Sequence, residues 1–262
     1  MPTVKATGAT LYYEVEGDGP TIVFAHGAGG NRMSWWQQAP EFARDHRVIR
    51  LDLRSFGRSR CEPGAIDPSH FADDLRAILD NEGVERASLV CQSLGGWTGL
   101  RTALETPERV TCLVLCGTPG GIAHPRVLEA AASIGERIQA EGVKGSAALA
   151  PGFENVQPEL AFLYDQISGL NTDVDMTALG RIFDPECAIT PERAGELRVP
   201  TLMVLGGRDL LFPIESLRAV SELIPGVEVA EFPECGHSVY FEAAGEFNPL
   251  VRAFIERHEK AD

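Results

Sequence analysis

The segment Cys91-Gln92-Ser93-Leu94-Gly95-Gly96 sets a hydroxyl between small residues two positions before and after it, Cys91 and Gly95. It follows the apolar run ASLV and precedes a helix-length stretch. A strand that turns sharply into a helix lifts such a hydroxyl clear of the sheet, and the crowding of the turn demands small neighbours. Ser93 is therefore a candidate nucleophile. The string Ser-x-Gly-Gly alone carries less, because glycines at a helix start also allow close helix-to-strand packing and serines there commonly act as caps. A second glycine-rich segment, His26-Gly27-Ala28-Gly29-Gly30, follows the run TIVFA. It has neither the GxGxxG spacing nor the following Lys-Ser/Thr pair of a phosphate cradle. The six cysteines, at 61, 91, 112, 116, 187 and 235, form no CxxC pair and no Cys/His zinc spacing, and read as reduced thiols. Cys112 and Cys116 stand four apart in TCLVLC, on one face of a strand, which packing in a buried sheet explains.

These residues need elements to position them. TLYYEVE (10–16) alternates apolar and polar before Gly17-Asp18-Gly19-Pro20, the pattern of a half-exposed strand at a sheet edge. TIVFAH (21–26), RVIRLDL (47–53), ASLVC (87–91), VTCLVLC (110–116), PTLMVLG (200–206) and VEVAEF (227–232) are short apolar runs suited to strands buried on both faces. Helix-length segments lie between them at 31–44, 68–82, 94–106 and 213–224; in the second, Phe71, Leu75, Ile78 and Leu79 make one apolar stripe. The alternation predicts an α/β fold, a mostly parallel doubly wound sheet with ligands at the carboxyl ends of its strands. It breaks between about Thr118 and Pro191, where helical pieces at 125–141, 158–170 and 174–183 replace strands. The expected organisation is a core of 1–118 and 191–262 with a helical lid inserted at 119–190.

Charge and composition narrow the partners. The 262 residues carry 23 Lys+Arg against 38 Asp+Glu, a net charge of −15, which repels nucleic acid. With 44% apolar and 23% charged residues the chain can bury a large core. No apolar stretch approaches the roughly 20 residues that span a bilayer, and the start lacks the basic and apolar regions of a signal peptide. A cytoplasmic protein with no membrane partner is expected.

The elbow around Ser93 resembles the G-x-S-x-G turn of the α/β-hydrolase family, with Cys91 in place of the first glycine, and the resemblance extends over essentially the whole chain. It implies the order Ser, acid, His. Asp209, in Leu205-Gly206-Gly207-Arg208-Asp209 after PTLMVL, takes the place of the acid, and His237, in Glu234-Cys235-Gly236-His237-Ser238 after VEVAEF, that of the base. Taken alone, Asp209 reads as a turn residue or cap and His237 as a surface histidine. His26 to Gly30 resembles the family's HGxxG loop, which assigns the backbone N–H groups of Ala28 and Leu94 to an oxyanion hole, with His26 bracing the loop. Asp52-Leu53-Arg54-Ser55-Phe56-Gly57-Arg58-Ser59 resembles the D-x-R-G-x-G-x-S loop, with Ser55 replacing a glycine, and has a scaffolding role. Trp35, Trp36 and Phe56 either line an apolar pocket or pack against the core.

A serine hydroxyl is a weak nucleophile near neutral pH and needs an imidazole to accept its proton, itself oriented by a carboxylate. The resemblance thus implies a serine hydrolase cleaving a small-molecule carboxylic ester or lactone through an acyl-enzyme on Ser93, with no metal or organic cofactor. Dehalogenases and epoxide hydrolases of this fold use Asp at the elbow and are disfavoured. C–C hydrolases, thioesterases and cofactor-free haloperoxidase-like enzymes share the apparatus; many C–C hydrolases place Trp after the histidine, where this chain has Ser238. A non-catalytic small-molecule receptor is the alternative of a different class. Association into a homodimer through apolar lid faces is a further alternative.

Overall fold

The computed structural model describes residues 2–62, 67–143, 145–172, 174 and 178–260. Its strands are β1 (Thr3–Ala6), β2 (Ala9–Glu16), β3 (Thr21–Ala25), β4 (Arg47–Leu51), β5 (Arg60–Cys61), β6 (Ala87–Gln92), β7 (Val110–Cys116), β8 (Thr201–Gly206) and β9 (Glu228–Phe232). They form one sheet in the order β1-β2-β4-β3-β6-β7-β8-β9, with β5 against β2. From β4 to β9 every pairing is parallel. The chain is an α/β protein with a mostly parallel sheet, as its alternating pattern requires.

The side-chain period of two explains the two-sided core. On one face Leu89, Cys91, Leu113, Leu115, Met203 and Leu205 pack with residues of the helices Phe71–Asn81, Gly95–Glu105 and Ile214–Ser221. On the other, Val90, Cys112, Val114, Cys116, Leu202 and Val204 meet the helix Ala244–Glu259 and the short turn Ala39–Phe42. Cys112 and Cys116 therefore do share a face, and all six cysteines are free thiols.

Several expectations are corrected. β2 is not an edge: its first half pairs with β1 and β5 and its second half with β4. β9, expected to be buried on both faces, is an edge strand, and its residues are exposed or half-buried. The segment 31–44 forms a 3-10 turn, Arg32–Trp35, and the four-residue helix Ala39–Phe42 rather than one helix, since Pro40 cannot supply an N–H to a continuing ladder. The helix Ala244–Glu259, which carries Pro249 in its interior, was not among the expected segments.

Between β7 and β8 the described residues hold helices Pro125–Ala132, Ile134–Glu141, Phe153–Val156, Pro158–Ser168 and Pro191–Ala194 and the 3-10 helix Ala178–Phe183, but no strand. Of the expected helix 174–183, residues 175–177 lie outside the described residues. A single parallel bridge, Ile122 to Ile189, closes the neck of this segment beside the expected boundaries at 119 and 190. Among the described residues no helix is long and apolar enough to cross a membrane.

After β3 the chain turns outward to β4, whereas β6 lies on the opposite side of β3. Loops leaving β3 and β6 therefore part in opposite directions and open a crevice at the carboxyl ends of these strands, the usual ligand position in such sheets.

Candidate active site

Ser93 stands on that crevice with a left-handed backbone, φ 48°. A non-glycine residue is held there only when its surroundings over-determine it. The Ser93 amide donates to the Cys116 carbonyl at 3.0 Å, and its own carbonyl accepts from the Gly96 amide at 2.8 Å and from Thr118 Oγ1 at 2.7 Å. Gly95 lets the following helix abut β3, since a Cβ there would collide with the Ala25 carbonyl. The missing first glycine is compensated elsewhere. Cys91 is buried, and its Sγ lies where a Cβ on Gly99 would come within 2.5 Å, so the room needed at the strand has been made one turn along the helix. Burial pushes the Cys91 thiol well above its ordinary range, which keeps it protonated.

Asp209 and His237 lie at the ends of the loops after β8 and β9, and both are almost fully buried. His237 Nδ1 is 2.8 Å from Asp209 Oδ2. The other carboxylate oxygen accepts the amides of Leu211 at 2.8 Å and Phe212 at 2.9 Å. With Oδ1 held by backbone, the aspartate cannot rotate away from the ring. His237 Nε2 is buried and has no hydrogen-bond partner among the described residues. The ring packs on Phe212, with centroids 5.9 Å apart, and a Cβ on Gly117, the residue after β7, would be 3.2 Å from its Nδ1. Since Ser93 hydrogen-bonds Cys116 and shares a cavity with Phe212, serine and imidazole flank the same strand end.

His26 follows β3, where Leu53 N–H donates to its Nε2 at 3.0 Å. That bond puts the ring proton on Nδ1, which donates to the Gly27 carbonyl at 2.7 Å. Burial pushes the His26 pKa down, only partly offset by Asp52. The ring is a neutral strut joining the glycine-rich loop to the loop after β4. Asp52 accepts from Arg32 and Arg58 amides at 2.7 and 2.8 Å, and Arg54 makes a buried ion pair with Asp74. Ser55, where the resembling family has glycine, takes φ 74°. Among the described residues neither the Ala28 nor the Leu94 amide is spent on a protein acceptor, and both residues border the same cavity as Ser93.

That cavity, about 60 Å³, is walled by Ala28, Ser93, Leu94, Trp97, Ile182 and Phe212. Larger surface hollows exist, but they lie away from Ser93 and His237. Trp35, Trp36 and Phe56 do not line it. Trp35 is sandwiched between Phe24 and Tyr240, Phe56 packs on His26, and Trp36 is half-exposed against Phe241. Trp97, Ile182 and Phe212 were not singled out in the sequence; the aromatic directly after the elbow glycines was the one available signal. Two further groups support the histidine loop: Glu242 accepts the Gly236 and Ala150 amides, and the Tyr164 hydroxyl shares a 2.9 Å hydrogen bond with Ser238. Burial raises the Glu242 pKa, while the bonded amides pull it down. Among the described residues no group of three or more His, Cys, Asp or Glu is placed to hold a metal ion.

Comparison with known proteins fits this geometry. Residues 22–250 match the model of the alpha/beta hydrolase family. The "Putative carbamate hydrolase RutD" of Azorhizobium caulinodans is 29% identical over 266 residues, covering 97% of this chain and 98% of that protein. A "2-hydroxy-6-oxononadienedioate/2-hydroxy-6-oxononatrienedioate hydrolase" of Paraburkholderia phymatum is 30% identical, covering 95% and 92%. Among solved structures, "Est816 as an N-Acyl homoserine lactone degrading enzyme" superposes with a TM-score of 0.80 at 26% identity, covering 97% of this chain and 100% of that one. With a matching family model over most of its length, the expected mostly parallel sheet and an Asp-His pair at the strand end that also holds the elbow serine, this chain belongs to the alpha/beta hydrolase family.

Proposed function

We propose that this protein is a serine hydrolase that cleaves a carboxylic ester or lactone of a small molecule through an acyl-enzyme on Ser93. The observation that carries the reading is the His237 ring, fixed through Nδ1 by Asp209 while its buried Nε2 has no partner among the described residues, at the strand end that also holds the elbow serine. A buried polar atom left unpaired is costly, and such exceptions concentrate where chemistry uses them.

In the proposed reaction Ser93 Oγ bonds to the substrate carbonyl carbon as its proton passes to His237 Nε2. Asp209 stabilises the resulting imidazolium without taking the proton. The carbonyl oxygen becomes an oxyanion held by the Ala28 and Leu94 amides, an interaction worth about 3 kcal/mol per donor in comparable sites. The bond to the leaving oxygen then breaks, and that oxygen receives the proton from His237. Water repeats the sequence: His237 accepts its proton, the hydroxide oxygen bonds to the acyl carbon, and Ser93 leaves with the proton restored. The reading is supported by the similar lactone-degrading protein, since a lactone is a cyclic ester. A receptor would have no need of a buried, oriented and unpaired imidazole.

Ser93→Ala is expected to abolish hydrolysis of p-nitrophenyl esters while leaving the circular dichroism spectrum and thermal midpoint nearly unchanged. Turnover retained by the folded variant would refute Ser93 as the nucleophile.

A further inference from the structure

We infer that the cavity beside Ser93 is an acyl pocket for short, uncharged acyl groups, with Ile182 and Trp97 setting its length; this rests on the ester-hydrolase reading above. Size is the first ground. By comparison with the ~150 Å³ apolar cavity that holds a benzene ring, one of about 60 Å³ takes roughly two or three non-hydrogen atoms. Most small-molecule sites are several times larger, ~300 Å³ or more. The portion of an ester that stays bound through both half-reactions is its acyl group, whereas the alcohol must leave after the first. The small, partly enclosed space beside the nucleophile therefore suits the acyl side.

The wall is braced and not merely collapsed. Trp97 Nε1 donates to the Ile182 carbonyl at 3.0 Å, tying the 3-10 helix Ala178–Phe183 to the helix that begins at the elbow. Phe183 packs edge-on against Trp97 at 5.4 Å and against Phe212 at 6.5 Å, and Phe212 in turn packs on His237. Lengthening the acyl chain would have to separate these contacts, and overfilling a packed apolar space is unfavourable.

Charge is the second ground. Apart from Ser93 the described lining residues are all apolar in their side chains, and no Arg or Lys is among them. A carboxylate in the acyl group would be stripped of water with no cation to receive it. The dienedioate hydrolase relative is named for a substrate with two carboxyl groups, so the acyl pocket described here would separate this chain from that specificity.

The test is a comparison of kcat/KM on p-nitrophenyl acetate, butyrate, octanoate and mono-p-nitrophenyl succinate. Acetate is expected to exceed octanoate by about tenfold or more, with the charged succinate at least as poor as octanoate. Ile182→Ala should raise octanoate relative to acetate by about tenfold, because it shortens the wall while keeping the carbonyl that Trp97 uses. Labelling of Ser93 by ethyl and by octyl p-nitrophenyl phosphonates reads the same preference without turnover. Octanoate or succinate hydrolysed as well as acetate, by an enzyme that Ser93→Ala inactivates, would overturn the pocket assignment and leave the hydrolase reading standing. Absence of both ester turnover and Ser93 labelling would overturn the two together.

Discussion

Asp209 uses its two oxygens for different purposes, one on the His237 ring and one on two backbone amides. Asn in its place has a single acceptor oxygen, and turning its NH2 toward Nδ1 would favour the tautomer with the proton on Nε2. Asp209→Asn should therefore lower kcat by roughly three to four orders of magnitude with KM little altered; an unchanged kcat in steady-state assays would point to another acid. Ser93, Asp209 and His237 each follow a strand-like run, where a parallel sheet presents its loops together, but only Ser93 stands out by its local sequence. The acid and the base are picked out by the family resemblance, since a lone Asp in a turn and a lone His in a loop carry no local mark. Titration also separates two histidines. Burial depresses His26, so the folded protein binds fewer protons there than the unfolded chain; the stability this gives is complete above pH 6.5 and is lost as pH falls below it. His46 is raised by its bond to Glu259 and, despite burial, by Asp45, so its contribution is complete below pH 6.5 and is lost as pH rises through its elevated pKa. NMR titration of the imidazole carbons should place His26 below and His46 above 6.5, and the reverse order would contradict both accounts.

At the scale of the element, the contact between β6 and the helix Gly95–Glu105 decides how the elbow is built. A methyl on Gly99 would come 2.5 Å from Cys91 Sγ and 2.8 Å from Leu113 Cδ1. Gly99→Ala should therefore destabilise the fold by about 1–3 kcal/mol, although alanine is ~1 kcal/mol the better helix former. Cys91→Gly in the same chain should recover a large part of that loss in urea unfolding, whereas strictly additive effects would show that the two positions do not share space. The sequence did not disclose this exchange, because two residues eight apart meet only once strand and helix are packed. Nor were β1 and β5 legible: at four and two residues they are too short to carry a period. β9 misled because VEVAEF reads as apolar, while its partner β8 covers only one side of it.

At the scale of the whole molecule, the parallel block from β4 to β9 sends the loops after β3, β6, β8 and β9 to one end, and the helical segment between β7 and β8 closes over it. Asn31 Nδ2 donates to the Ile167 carbonyl at 2.8 Å, and Asn171 joins the Gly30 carbonyl at 2.9 Å to the Gly57 amide at 2.9 Å. On the far side Arg137 donates to the carbonyls of Leu210 and Leu211, next to Asp209. These seams bring residues 28, 97, 182 and 212 around one space, which is why the cavity could not be read from the sequence: its walls come from segments whose docking no local pattern records. The net charge of −15 acts on top of this enclosure. Product inhibition by acetate should be weak at low ionic strength and strengthen as salt shortens the screening length from ~30 Å at 0.01 M to ~3 Å at 1 M; an inhibition constant indifferent to salt would confine the effect to the site itself.

Under the ester-hydrolase proposal, the absence of a cationic side chain from the described lining of that cavity would give each catalytic cycle a direction. In the proposed reaction a neutral ester would come in and an anion be left behind, in a chamber whose described lining offers it no counter-ion and within a molecule whose field drives it outward. Occupancy by spent acid would then stay low as it accumulates, and the next ester would find the chamber vacated.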